Sequence, residues 1–120
     1  MKAQGRGFTL IEIIISLSIL AVGLVGILSL FPIGFDSARR SVDSTQAAVF
    51  AHEKLEQLRS SGFPAVGTTN GTFTDPIYGW TQTVTDGTPA GYLRKVDLTV
   101  SWTYRNKSYQ RTFTTYVAAR

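Results

Sequence analysis

Hydrophobic and polar positions divide the chain into three stretches with different rhythms. From Phe8 to Phe31 the run is almost unbroken. Of these 24 residues only Thr9, Glu12, Ser16, Ser18 and Ser29 carry polar side chains, and Glu12 is the sole charge. As a helix rising about 1.5 Å per residue it reaches roughly 36 Å, enough to cross a hydrocarbon core of about 30 Å. A soluble fold would have to cover this cylinder on every side, which the rest of a 120-residue chain cannot easily do, so the run reads as membrane-spanning.

From Asp36 onward the apolar positions fall on one side. Ala38, Val42, Thr45, Ala48, Val49, Ala51, Leu55 and Leu58 form a stripe, with Arg39, Arg40, Asp43, Glu53, Lys54 and Glu56 mostly off it. This spacing predicts an amphipathic helix over 36–61, stopped by Ser61-Gly62-Phe63-Pro64 with Arg59 near its negative end. Pro32 and Gly34 stand where the two halves meet. The missing donor of one and the backbone freedom of the other predict a helix kink there. Residues 62–76, rich in Gly, Thr, Asn and Asp, read as a loop with one short strand around Thr72 to Thr74.

The period then switches to two. Trp80, Gln82 and Val84 sketch a strand before an Asp86-Gly87 turn. Val96, Leu98, Val100, Trp102 and Tyr104 alternate with Lys95, Asp97, Thr99, Ser101 and Thr103. After a turn at Arg105-Asn106-Lys107-Ser108, Tyr109, Arg111, Phe113, Thr115 and Val117 share one face. A three- or four-stranded antiparallel sheet within 77–117, its apolar face covered by the amphipathic helix, makes the fold class α+β.

Composition narrows the chemistry. Charged residues are only 17% of the chain and the formal charge is +4, which excludes a highly charged disordered polymer. With no cysteine there is no disulfide scaffold, cysteine zinc site or thiol nucleophile. Ser16 and Ser18 have no His-Asp constellation, and His52 stands with Glu53 and Glu56 but without the further ligands a metal site needs. Asp75 and Asp86 read as turn residues rather than calcium ligands. Neither catalysis, a metal nor a cofactor is expected. Arg94, Lys95, Arg105, Lys107 and Arg111, with Tyr104 and Tyr109, would attract DNA if they shared a sheet face. Lys95, however, alternates away from the apolar set as in an ordinary solvated strand.

Two features surround the apolar run. Met1 to Gly7 carries Lys2 and Arg6, and no small-residue exit site follows the run, which passes through Leu28-Ser29-Leu30-Phe31 into Pro32, unlike a secretory signal. Lys2 and Arg6 favour a cytoplasmic N-terminus, while Arg39 and Arg40 pull the other way. A carboxylate inside a membrane helix costs about 2.5 to 3.5 kcal/mol, so Glu12 needs a partner unless it reaches the headgroups. Gly23 and Gly26, with Ala21, allow close helix approach.

Gly7-Phe8-Thr9-Leu10-Ile11-Glu12, behind a short basic leader and ahead of an apolar helix, resembles the class III signal of type IV prepilins and type II secretion pseudopilins. In outline, Ala47-Ala48 through Ala51, Lys54-Leu55-Glu56-Gln57-Leu58-Arg59 and the strand with Val100 and Trp102 are similar to minor pilins of the pilus-modification type and to the small minor pseudopilin. The resemblance implies a leader over 1–7, a transmembrane and filament-core helix over 8–31 and a periplasmic pilin-like domain over 32–120. Prepilin peptidase would cut after Gly7 and methylate the new amine of Phe8, and loss of Lys2 and Arg6 would take the charge from +4 to +2. Glu12 would form the assembly charge pair with an N-terminal amine, a neighbour's or its own.

The implied course is storage in the bacterial inner membrane as a single-pass protein, then extraction by the assembly platform. There it joins other pilins or pseudopilins in a periplasmic or extracellular filament. The missing cysteine pair and small soluble part point to a minor pilin at or near the tip of a type IV pilus. Glu12 argues against the tip pseudopilin that lacks it. The alternatives are a type II secretion minor pseudopilin and, in another class, an anchored binding domain that never polymerises. A pilin-like subunit is the substrate of an enzyme and is not one itself.

Overall fold

The computed structural model describes residues 7–120, so Lys2 and Arg6 of the leader lie outside the described residues. Helix α1 spans Leu10–Leu28 and helix α2 spans Leu30–Ser60, followed by strands β1 (Gly67–Thr72), β2 (Gly79–Asp86), β3 (Leu93–Tyr104) and β4 (Lys107–Ala118). The arrangement is α+β and pilin-like. By its internal contacts the chain divides inside α2 into one unit ending at Arg40 and a second from Ser41 to Arg120.

In the first unit α1 buries no residue, and its side chains from Leu10 to Leu28 stand open on every side. Nothing within the protein claims the roughly 1.5–3 kcal/mol that burial of each Leu or Ile would release. Between the helices Ser29 keeps helical angles, φ −66° and ψ −17°, and its N–H and hydroxyl both reach the Val25 carbonyl, at 3.0 and 2.7 Å. Pro32, which has no N–H to offer the Leu28 carbonyl four residues back, falls in the first turn of α2, and Gly34 lies within the helix. The two helices part at Ser29, three residues before Pro32. Gly34 instead leaves a shallow apolar hollow beside Ile27, Phe31, Phe35 and Ala38.

In the second unit the four strands form one antiparallel sheet in the order β1-β2-β3-β4. Trp80 stands opposite Val100, Val84 opposite Val96, Leu98 opposite Phe113 and Trp102 opposite Tyr109. The alternate residues Val96, Leu98, Val100 and Trp102 are buried, and Ala47 and Ala51 of α2 complete this core. Rings run in sequence from Phe73 to Phe50, Tyr78, Trp102 and Tyr109, with neighbouring centroids 4.9 to 6.0 Å apart. Such offset and tilted pairs add to simple area burial.

The structure corrects two expectations. The short strand expected around Thr72 to Thr74 lies earlier in the stretch 62–76, as β1 over Gly67–Thr72. It has no apolar side chain to announce it and is held by backbone pairing with β2. A Cβ on Gly71 would come within 2.9 Å of the Trp80 ring, so glycine there lets the indole lie across the edge strand. The buried stripe of α2 is also rotated from the one expected. Its line is Asp43, Ala47 and Ala51 with Phe50, Leu55 and Leu58 beside it, while Val42 and Val49 remain 61% and 45% exposed. Two alanines let helix and sheet approach closely, and that advantage outweighs the larger apolar area of the valines.

Asp43 enters the core because the buried Tyr78 hydroxyl donates to its Oδ1 at 3.3 Å. Tyr78→Phe keeps the ring stack and removes this donor, so the unfolding free energy is expected to fall by about 1 kcal/mol. Urea titration of the full chain in detergent, followed by tryptophan fluorescence, reads the change. The helix ends at Ser60: Ser61 N–H donates to the Gln57 carbonyl, and Gly62 takes the left-handed conformation, φ 105°. Arg94 then fastens the turn to the sheet, stacking on Phe63 at 4.7 Å, donating to the Pro64 carbonyl at 3.3 Å and pairing with Asp86.

Candidate functional site

The candidate site is the start of the first unit. Gly7 is exposed with no atom within 4 Å of where a Cβ would sit, and Phe8 is 84% exposed. A segment outside the helix, carrying a minimal side chain before a bulky one, can enter a protease groove without unwinding α1. Thr9 then caps α1, with φ −75° and ψ 155°. Its Oγ1 accepts from the Glu12 N–H at 3.3 Å, and its own N–H donates to Glu12 Oε2 at 2.8 Å. This reciprocal capping box satisfies two helix donors and gives Glu12 a partner within its own chain. Sequence reasoning asked for a partner and missed this one, although Thr-x-x-Glu ahead of an apolar run is its ordinary signature. The carboxylate is held one residue from the Phe8 nitrogen.

Beyond the cap, Ser18 spends its hydroxyl on the Ile14 carbonyl at 2.7 Å, so it adds no polar patch to the cylinder. Gly23 and Gly26 have open space where a Cβ would stand. A stretch within Leu10–Ser60 is long and apolar enough to cross a membrane, and none of it is buried inside the protein.

The other candidates resolve differently. His52 is exposed on α2, and among the described residues no three His, Cys, Asp or Glu gather as metal ligands. Asp75 accepts from the Ile77 N–H at 3.1 Å in a tight turn, and Asp86 pairs with Arg94. The five basic residues do not share a face. Arg94 and Arg111 lie on the helix side of the sheet, where Arg111 donates to Ser44 at 2.6 Å, Lys95 lies on the outer side beside Asp97, and Arg105 and Lys107 sit at a hairpin tip. The register parity of β3 and β4 scatters the patch that DNA would need. A depression of the second unit, about 440 Å³, is lined by Arg59, Phe63, Tyr116 and Arg120, and no nucleophile-base pair converges in it.

The outer face carries hydroxyl pairs instead, Thr68 with Thr83 and Thr99 with Thr112, and an acid. Thr114 donates to Asp97 Oδ1 at 2.6 Å, and this bond, helped by Lys95 and opposed by burial, holds the Asp97 carboxyl below its ordinary 3.8. A carboxyl with a lowered folded value stabilises the fold above its unfolded value and loses that contribution as pH falls through the folded one. Stability is therefore expected to decline below about pH 4. Thr114→Val should flatten that acid limb in unfolding curves recorded from pH 6 to pH 2.

With this geometry in place, comparison with known families is decisive for the N-terminus. Residues 3–28 match the prokaryotic N-terminal methylation motif. The N-terminus of this chain carries a prepilin-type signature. The match covers Gly7, Phe8, the Thr9–Glu12 cap and the whole of α1, and leaves the second unit to be read from its own structure. No curated protein and no solved structure matches the chain. Such a motif implies processing by prepilin peptidase and assembly with other pilin-type chains, and with the apolar α1 it suggests membrane anchoring.

Proposed function

We propose that this prepilin-like chain is a minor pilin of a type IV pilus, stored in the bacterial inner membrane with its N-terminus in the cytoplasm. It is cut between Gly7 and Phe8, methylated on Phe8, and built into the filament at or near the tip. The observation that carries the reading is an apolar helix with no cover of its own, α1, beginning at a capped carboxylate and matching the methylation motif. Such a surface is stable in lipid or in a bundle of similar helices, and transfer between the two costs little apolar burial. Val42 and Val49, left exposed on α2, extend the same demand for neighbours into the second unit.

Cleavage frees an amine on Phe8, next to the nitrogen that Glu12 already binds. The carboxylate then has a cation to meet, on its own chain or a neighbour's, and the pair guides docking of the incoming subunit.

Mass spectrometry of sheared pili tests the reading. The expected result is a sub-stoichiometric chain beginning at N-methylated Phe8. Recovery with a type II secretion apparatus instead would make it a minor pseudopilin. An uncleaved chain confined to membranes would make it an anchored domain and end the proposal.

A further inference from the structure

We infer that the β3–β4 hairpin tip is a docking surface for anionic phospholipid headgroups, holding the second unit against the membrane before assembly. The inference rests on the membrane-stored reading above and goes beyond it, since that reading assigns this hairpin nothing. The first observation is conformational. Arg105 and Asn106 both take left-handed backbone angles, φ 49° and 59°, as a two-residue hairpin turn of this hand requires. Glycine, asparagine and aspartate suit such positions, and an arginine at the first is unfavourable. That side chain stands exposed at the tip of the hairpin.

The flanking residues match an interface between apolar and headgroup layers. The Arg105 guanidinium lies over the Tyr104 ring at 5.4 Å, and the Lys107 ammonium over the Tyr109 ring at 5.8 Å. Tyr109 in turn stacks on Trp102, which anchors the tip to the core. Both tyrosines are half-buried, while residues 105–108 are exposed. Tyrosine and basic side chains together favour the headgroup zone.

The third observation is position. Arg111 reaches Ser44 in the first turns of the second unit's helix, and Thr115 takes a hydrogen bond from Arg59 near the helix end. From Thr115 through Arg111, β4 runs back along the helix, and it continues about 17 Å further to the turn at roughly 3.4 Å per residue. The tip thus lies at the end of the second unit where Ser41 begins it. Ser41 follows Phe31 by a tether of about 15 Å as helix and no more than about 35 Å fully extended. Two cations presented at a point match separate headgroups, whereas a nucleic acid duplex needs the continuous basic track that Arg94 and Lys95, far along β3, do not supply.

The test uses the full chain in lipid nanodiscs. With no native cysteine, Ser108→Cys carries a unique fluorophore at the tip, and Ala90→Cys places one in the loop before β3, at the far end of the hairpin. Quenching by a headgroup-spin-labelled lipid should be strong for the tip label in phosphatidylglycerol discs, weak in phosphatidylcholine discs, and reduced by salt. Each cation removed should lower the docked-to-undocked ratio about fivefold, so Arg105→Ser with Lys107→Ser should lower it about 25-fold. Equal quenching in the two lipids, equal quenching of the two labels, or no change in the double variant would overturn the inference. So would a tip label that responds to duplex DNA and not to phosphatidylglycerol. A chain that never enters the discs would instead refute the membrane-stored reading, and this inference with it.

Discussion

A chain with leucine in place of Gly7 is expected to keep its first seven residues and to be missing from filaments altogether. The resemblance to prepilins implies a peptidase that accepts only a small residue before the cut. The structure makes the experiment clean, because a Cβ on Gly7 meets no atom within 4 Å and Gly7 precedes the Thr9 cap. The substitution leaves the chain's own fold undisturbed, so a block can be assigned to processing. Intact-mass measurement of membrane and sheared fractions reads the outcome. Leucine at this position with normal cleavage, or uncleaved chain in normal filaments, would remove the processing step from the account.

The largest stability effect is expected at Leu98. Its side chain is fully buried between Gln82 and Phe113 on the neighbouring strands, under Ala47 and Ala51. Leu98→Ala should lower the unfolding free energy by about 2–5 kcal/mol, the transfer term plus the cavity left behind. Val49→Ala, on the exposed side of α2, should change it by less than about 0.5 kcal/mol. Urea midpoints of the full chain in detergent, followed through Trp80 and Trp102, compare the two. A small loss at Leu98 together with a large one at Val49 would mean that the sheet packs on the opposite face of the helix.

What could be read in advance follows from how strongly each element announces itself. β3 was legible because burial on one face forces period-two alternation from Val96 to Trp102. α1 was legible because an apolar cylinder has few interpretations. β1 was not: Gly-Thr-Thr-Asn-Gly-Thr has turn composition, and its strand conformation comes from pairing with β2 and from the Trp80 ring lying over Gly71. The buried line of α2 was misjudged because hydropathy ranks Val42 and Val49 above Asp43, while packing distance favours Ala47 and Ala51 and Tyr78 satisfies the acid. At the N-terminus, residue types gave Gly7, Phe8 and Glu12, but the partner of Glu12 lay in cap geometry that a count of charges does not register.

The sheet ends on both sides in strands poorly suited to lateral growth. On one border β1 is six residues long and wholly without greasy side chains. On the other, Arg111 of β4 is turned inward to Ser44, placing a charge where a stacking strand would seek a smooth ribbon. Copies crowded together are thus discouraged from joining edge to edge into amyloid-like sheets. The uncovered rod of α1 is left as the broad adhesive surface, and an association that relies on it can be reversed by returning the rod to lipid.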